Sequence, residues 1–454
     1  MELRCAVQQY AWGKQGRQSE AALLNSSGDP DFLIDDDMYY AELWMGTHSN
    51  GPSVLKGSSQ KLSEWIKAHP ESLGEFVIQK FGINLPFLFK VLSVNQALSI
   101  QAHPDKKHAE QLHMENPDVY KDPNHKPELA IALTPFEALC GFRPIEEIKH
   151  FLEAPDIFLS TLFSNTHNLC SSLKVAVDKL NTRVLAVVPE LRAVVGSHSV
   201  NELLMSDEAG MQDALKNCFH SLMTCSKEEI ETQLRALLTR LASLGRFLWV
   251  EVHSFVCAAD ESSLADQDTT LLQSLYQTYP GDVGCFCIYF LNHLTLQPGE
   301  ALYLAPNEPH AYLKGDCVEC MACSDNVVRA GLTPKPKDVS TLCNMLTYIC
   351  ESASAKRFPG IRENAYTHIF RPPVPDFAVA RINVPNSVED YLLKPRDSAS
   401  IVLMVNGHAK TSNDLHLRRG SVVFLPAHQP LQLYAAERTG PLLIFQAMCN
   451  TACV

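Results

Sequence analysis

A glycine turn, a short alternating strand and a proline turn occur twice in this chain. The first copy is Pro298-Gly299-Glu300-Ala301-Leu302-Tyr303-Leu304-Ala305-Pro306-Asn307-Glu308-Pro309-His310. The second is Gly420-Ser421-Val422-Val423-Phe424-Leu425-Pro426-Ala427-His428-Gln429-Pro430. Glycine gives the turn its backbone freedom, β-branched and aromatic residues favour a pleated strand, and proline ends it. Two copies imply two related β units. They differ where it matters for chemistry: four positions past its proline the first copy has His310, and the second has Pro430. Only the first keeps a residue able to hold a metal. His428, offset by two, reads as a surface loop residue.

Further donors lie upstream. The apolar run Leu85-Pro86-Phe87-Leu88-Phe89-Lys90-Val91-Leu92 reads as a buried strand. It is followed by Leu98-Ser99-Ile100-Gln101-Ala102-His103-Pro104. If that stretch is extended, Ser99, Gln101 and His103 share a face, with alternate side chains about 7 Å apart. Pro104 then opens a helix at its first position, with Asp105 in the first turn. Asn124-His125-Lys126-Pro127-Glu128 adds a carboxylate, with Lys126 and Glu128 facing the same side. Two histidines, a carboxylate and a neutral oxygen, completed by water, suit zinc at a catalytic site. His108 and His113, five apart, share no face and read as solvated.

Composition sets the outer bounds. The chain has 454 residues, 46% hydrophobic and 20% charged, with a net charge of −13. That charge argues against nucleic acid or an anionic membrane as partner. The start of the chain has no apolar signal core, and no apolar run of about 20 residues occurs. Its 15 cysteines are scattered among apolar neighbours and read as reduced thiols of a cytoplasmic protein. Three recur as Cys317, Cys320 and Cys323, but in a strand they cannot converge, so no cluster is expected.

Residues 1–60 read as short strands and loops, with Trp12 and Glu42 beside turn glycines. From 144 to 279 the texture is helical. Ser226-Lys227-Glu228-Glu229 is a capping box, followed by an apolar stripe of Ile230, Leu234, Leu237, Leu238, Leu241 and Leu244. Segment 245–257, with Trp249 and two phenylalanines, breaks that texture and reads as strand-like. Past the cysteines, Arg329-Ala330-Gly331-Leu332-Thr333-Pro334-Lys335 sets a forked cation and a point cation around a glycine turn, which suits a phosphate.

Four blocks in order, Ser-Ile-Gln-Ala-His-Pro, Asn-His-Lys-Pro-Glu, Pro-His-Ala-Tyr and Ser-Asp-Asn-x-x-Arg-Ala-Gly-Leu-Thr-Pro-Lys, resemble type I phosphomannose isomerase, a cupin-type family. The resemblance implies a mainly β chain of two cupin-like jelly-roll barrels with an inserted α-helical domain. The catalytic barrel would comprise 1–143 and 280–340, the helical domain 144–279, and the metal-free C-terminal jelly roll 341–454. It implies reversible isomerisation of mannose 6-phosphate and fructose 6-phosphate through a cis-enediol, supplying mannose for glycoconjugates. One Zn²⁺ would be held by Gln101, His103, Glu128 and His310. The base would be one of Lys126, His125, Glu319 and Asp325. Arg329 and Lys335 would hold phosphate and stabilise charge, and Tyr312, Ser99 and Trp12 would contact the substrate. The sole partner expected is a small sugar phosphate, bound by a monomer. A non-catalytic double-barrel sugar-binding protein, or a metal-dependent oxygenase with a two-His-one-carboxylate iron, are the rival readings.

Overall fold

The structure, a computed structural model, describes residues 1–153, 187–252, 264–434 and 440–453. The strand His310–Ala322 runs through the middle of the first unit, buried at every position except Lys314. It bends at Gly315, whose φ is +115° and where a Cβ would stand 2.5 Å from the Pro135 carbonyl oxygen. Only glycine fits both demands. Before the bend the strand pairs with Phe136–Phe142, and after it with Phe87–Val94 and Glu128–Ala132. Phe87–Val94 is buried along its whole length, as a continuous apolar run requires, and Lys90 is buried with it. The short strands Ile100–Ala102 and Val328–Gly331 join the sheet beside His310.

The second unit stacks two sheets. One runs through Ala378–Val384, Leu442–Met448, Ser400–Asn406 and Val422–Leu425, then takes in Glu2–Arg4 and Val54–Leu55 from the beginning of the chain. The other is built from Asp390–Leu393, Leu431–Tyr434, His408–Thr411 and His416–Arg418. Ile382, Val402, Leu417, Leu433 and Ile444 fill the space between them. Both repeated strands are present, as Ala301–Leu304 and Val422–Leu425, and His428 stands on an exposed turn. The two units share one apolar core, in which Phe87, Phe89 and Leu129 pack with Phe377, Phe424 and Phe445.

Helices Ile145–Leu152, Pro189–Val195, Ser197–Met205, Met211–Thr224, Lys227–Val252 and Leu264–Thr278 form an insertion against the first unit. Arg143 ties it down, bonding the Ile288 and Leu291 carbonyls and pairing with Asp268 at 2.9 Å. Ser226 accepts from the Glu229 N–H as the capping motif implies, and Ile230, Leu234 and Leu237 are buried. No helix among the described residues is long and apolar enough to cross a membrane.

Four local expectations are corrected. The helix begun at Lys227 continues through Gly245 to Val252, so 245–252 is helical and not strand-like; residues 253–257 lie outside the described residues. A helix already fixed by its cap and apolar stripe overrides β propensity. Glu20–Gly28 is a helix inside a region read as strands and loops, capped by Ser19, whose side chain accepts from the Ala22 N–H. Pro104 lies one residue outside the next helix: Asp105 is its cap, accepting from the His108 N–H, and Lys106 is its first residue. His113 is half-buried, with Nδ1 bonded to the Tyr120 carbonyl, so it is not simply solvated.

Candidate metal centre

His310 opens the central strand, and its Cα partner across the ladder is Gln101. Gln101 pairs on its other edge with Arg329. Two loops complete the arrangement. Asn307, in a left-handed turn at φ 62°, donates its N–H to the His103 carbonyl at 2.7 Å. Its side-chain amide also meets Asp105 through both the backbone N–H and the carboxylate. The Pro306 turn and the segment carrying His103 are thereby locked together.

His103, Glu128 and His310 are buried, and their ligand atoms all lie within 4.8 Å of one another. His103 Nδ1 is bonded to the Asn326 carbonyl at 2.7 Å and His310 Nδ1 to the Glu308 carbonyl at 3.0 Å. Each backbone oxygen takes an Nδ1 proton, which leaves the Nε2 lone pair aimed at Glu128. His103 Nε2, His310 Nε2 and Glu128 Oε2 are buried without any hydrogen-bond partner. Orphaned buried acceptors are costly, and three converging ones fit a divalent cation. Protonation states agree with this: burial pushes His103 down to about 4. Burial works against the Glu128 carboxylate, but Lys126, 3.3 Å away, and His103 outweigh it and hold its pKa well below the usual range.

Beside the centre lies a cavity of about 460 Å³ whose wall includes Gln101, Ser99, Lys126, Trp12, Glu42 and Lys90. Ser99 Oγ lies 3.5 Å from Gln101 Oε1. Trp12 stacks on Tyr10, their centroids 5.8 Å apart. Asp325, Arg329 and Lys335 also line the cavity, with Asp325 half-exposed and 3.4 Å from His48 Nε2. That hydrogen bond lowers the Asp325 pKa. Arg329 is half-buried, and burial alone lowers its pKa; no carboxylate pairs with it among the described residues.

Two candidates sit behind the wall. Tyr312 is buried against Phe136 and donates to Glu319 Oε1 at 2.8 Å. Glu319 Oε2 accepts from Lys90 at 3.1 Å, and Glu42 stands 3.6 Å from the same ammonium. Burial raises the Glu319 pKa against the pull of Lys90. His125 is turned away from the cavity, with Nε2 3.1 Å from Asp376 Oδ2. Lys90, His48 and Asp376 were not singled out from the sequence. A lysine inside an otherwise apolar strand was a usable signal for the first; the other two carry none. Cys317, Cys320 and Cys323 remain free thiols.

A sheet-rich chain with a buried bis-histidine–carboxylate centre, beside a cavity edged by cations, is a metalloenzyme for a small anionic substrate. Comparison with known proteins makes this specific. Models of the type I phosphomannose isomerase family match as the catalytic domain over residues 1–145, the helical insertion domain over 192–291 and the C-terminal region over 368–412. The chain is 45% identical to mannose-6-phosphate isomerase of Homo sapiens over 98% of both chains. To the Cryptococcus neoformans enzyme of that name it is 40% identical over 95% of both. Among solved structures, zinc-bound mannose 6-phosphate isomerase superposes with a TM-score of 0.73 at 28% identity, covering 99% of this chain and 98% of that one. The apo form from Salmonella typhimurium gives the same score, identity and coverage. The chain belongs to the type I phosphomannose isomerase family.

Proposed function

We propose that this protein interconverts mannose 6-phosphate and fructose 6-phosphate, moving a proton between C1 and C2 through a cis-enediol. The observation that carries the reading is the set of three orphaned buried ligand atoms on His103, Glu128 and His310, beside a cavity lined by Gln101, Lys126, Arg329 and Lys335. Gln101, on the strand beside His310, is the fourth ligand in this reading. Bound Zn²⁺ supplies Lewis-acid stabilisation to the sugar oxygens as negative charge develops on them. The chain does the rest. Arg329 and Lys335 grip the phosphate and fix the distance from it to the reacting carbons. Trp12 and Ser99 bound the sugar. In this reading Lys126, on the cavity wall beside Glu128, moves the C1–C2 proton, and the Asp325–His48 pair serves the ring oxygen. Glu319 and Tyr312 act from behind by holding Lys90.

The same reading takes 1–143 with 280–340 as a catalytic jelly roll, 144–279 as the helical domain and 341–454 as a second jelly roll without metal. It makes the protein a cytoplasmic monomer feeding GDP-mannose synthesis. A non-catalytic sugar-binding role is disfavoured, since such a role needs neither the buried donors nor the cation pair. A coupled assay for fructose 6-phosphate tests the proposal: a strong chelator should abolish turnover and Zn²⁺ restore it. His310→Ala should lose both zinc and turnover. Full activity in zinc-free protein would overturn it.

A further inference from the structure

The segment before Glu128 joins no strand ladder until Glu128 itself; besides the Ala322 N–H on the Pro127 carbonyl, side chains set it. One side is fixed by the loop after the central strand: Ser324 Oγ and Asn326 Nδ2 both donate to the Asn124 carbonyl at 3.0 Å. Asn124 Nδ2 returns a bond to the Cys323 carbonyl. Lys126 and Glu128 face the metal side, where their charges meet at 3.3 Å. His125 leaves on the other side and reaches Asp376, whose side chain is only 4% exposed.

Asp376 arrives preset. It follows a proline-rich loop that Asn450 clamps, through its side-chain amide to the Pro372 and Val374 carbonyls and its N–H to the Pro375 carbonyl. Arg371 in turn donates to Asn450 Oδ1. Both clamp and carboxylate belong to the C-terminal unit, whose own copy of the repeated turn has Pro430 where the first has His310. A buried carboxylate on an imidazole N–H is a charge-assisted bond with fixed direction.

We propose that Asp376 is a positioning residue: acting through His125, it sets the stretch that aims Lys126 into the cavity beside Glu128. The C-terminal unit thereby contributes to catalysis without touching substrate. The inference rests on the proposed isomerase reading for its readout. The test is a double-mutant cycle of Asp376→Ala and His125→Ala, measuring kcat and KM for mannose 6-phosphate, zinc content and melting temperature. Each single change should lower kcat about tenfold with KM altered less than about threefold and zinc retained, and the double variant should be no slower than His125→Ala alone. Asp376→Asn keeps an acceptor for the imidazole N–H and should lose only about threefold. Losses that multiply in the double variant, or an Asp376→Ala enzyme within about twofold of wild type, overturn the proposal. Should Asp376→Ala not fold, Asp376→Asn takes its place, and its loss must vanish in the His125→Ala background; a loss of equal size there overturns the proposal. A wild-type protein that does not turn over mannose 6-phosphate at all would instead refute the isomerase reading.

Discussion

Replacing Lys90 with methionine removes the one cation between two buried carboxylates. Lys90 is 6% exposed, Glu42 7% and Glu319 2%, so water cannot take over its work. Burial opposes the charge of Lys90, but Glu42 and Glu319 outweigh burial and raise its pKa. A group whose folded pKa is raised in this way contributes its full stability at every pH below its unfolded value of about 10.4. Breaking a buried pair by deleting one partner costs about 3–5 kcal/mol, because the remaining charge is left uncompensated. Methionine fills similar volume, so little of the loss is packing. At roughly 2–4 °C per kcal/mol for a domain of this size, the melting point of the β units should fall by at least about 6 °C at pH 8. The deficit should depend on pH. With Lys90 gone, the pKa of Glu319, already raised by burial, rises further, so the folded state binds protons more tightly than the unfolded chain. Stability then falls as pH rises above the unfolded carboxylate value of about 4.3, and the deficit grows from pH 5 to pH 8. Adding Glu319→Gln to Lys90→Met should restore part of the loss. Scanning fluorimetry at both pH values on the three proteins reads all of this. A variant that melts with wild type at pH 8, or a deficit equal at both pH values, would refute the reasoning.

Arg329→Ala should lower kcat/KM for mannose 6-phosphate at least tenfold, since charged hydrogen bonds contribute about 1.5–3 kcal/mol each; the coupled assay measures it, and unchanged kinetics would clear Arg329 of the phosphate role. Arg143→Met should cost about 3–5 kcal/mol by leaving Asp268 buried and unpaired, with helical signal lost before sheet signal in a circular dichroism melt. Gly420→Ala should destabilise the C-terminal unit by about 1–3 kcal/mol, read as a lower denaturant midpoint. Its φ is +82° and the new methyl would meet the Leu24 carbonyl oxygen at 1.8 Å.

The sequence revealed groups whose neighbours along the chain announce them. Gln101 lies in the short strand Ile100–Ala102 with His103 just past its end, and His310 follows a proline turn, so local sequence pattern was enough to single them out. The tautomer-setting contacts to Asn326 and Glu308 were hidden, because each is a backbone carbonyl that any residue offers. Glu319 was legible as polar in an apolar strand, but its partner Lys90 lies 229 residues away and only the ladder brings them together. Asp376 sits 251 residues from His125 with ordinary neighbours. Segment 245–257 misled for the opposite reason: its composition is β-like, while the cap and stripe that decide 245–252 lie before it.

The pairing of Glu2 with Val423 has a consequence for how the chain is made. During synthesis at about 5–20 residues/s, Glu2–Arg4 is out of the ribosome for roughly 20–80 s before its neighbour Val422–Leu425 exists. Throughout that wait Leu3, which ends 6% exposed, has only the short strand Val54–Leu55 to pair with, and the apolar face shared by the two units has no cover. Closing so long a loop is slow, and an unpaired edge during the delay invites other chains. The bond that joins the beginning of the chain to its far end therefore makes folding wait on translation, and makes the nascent chain a client for whatever shields exposed strands.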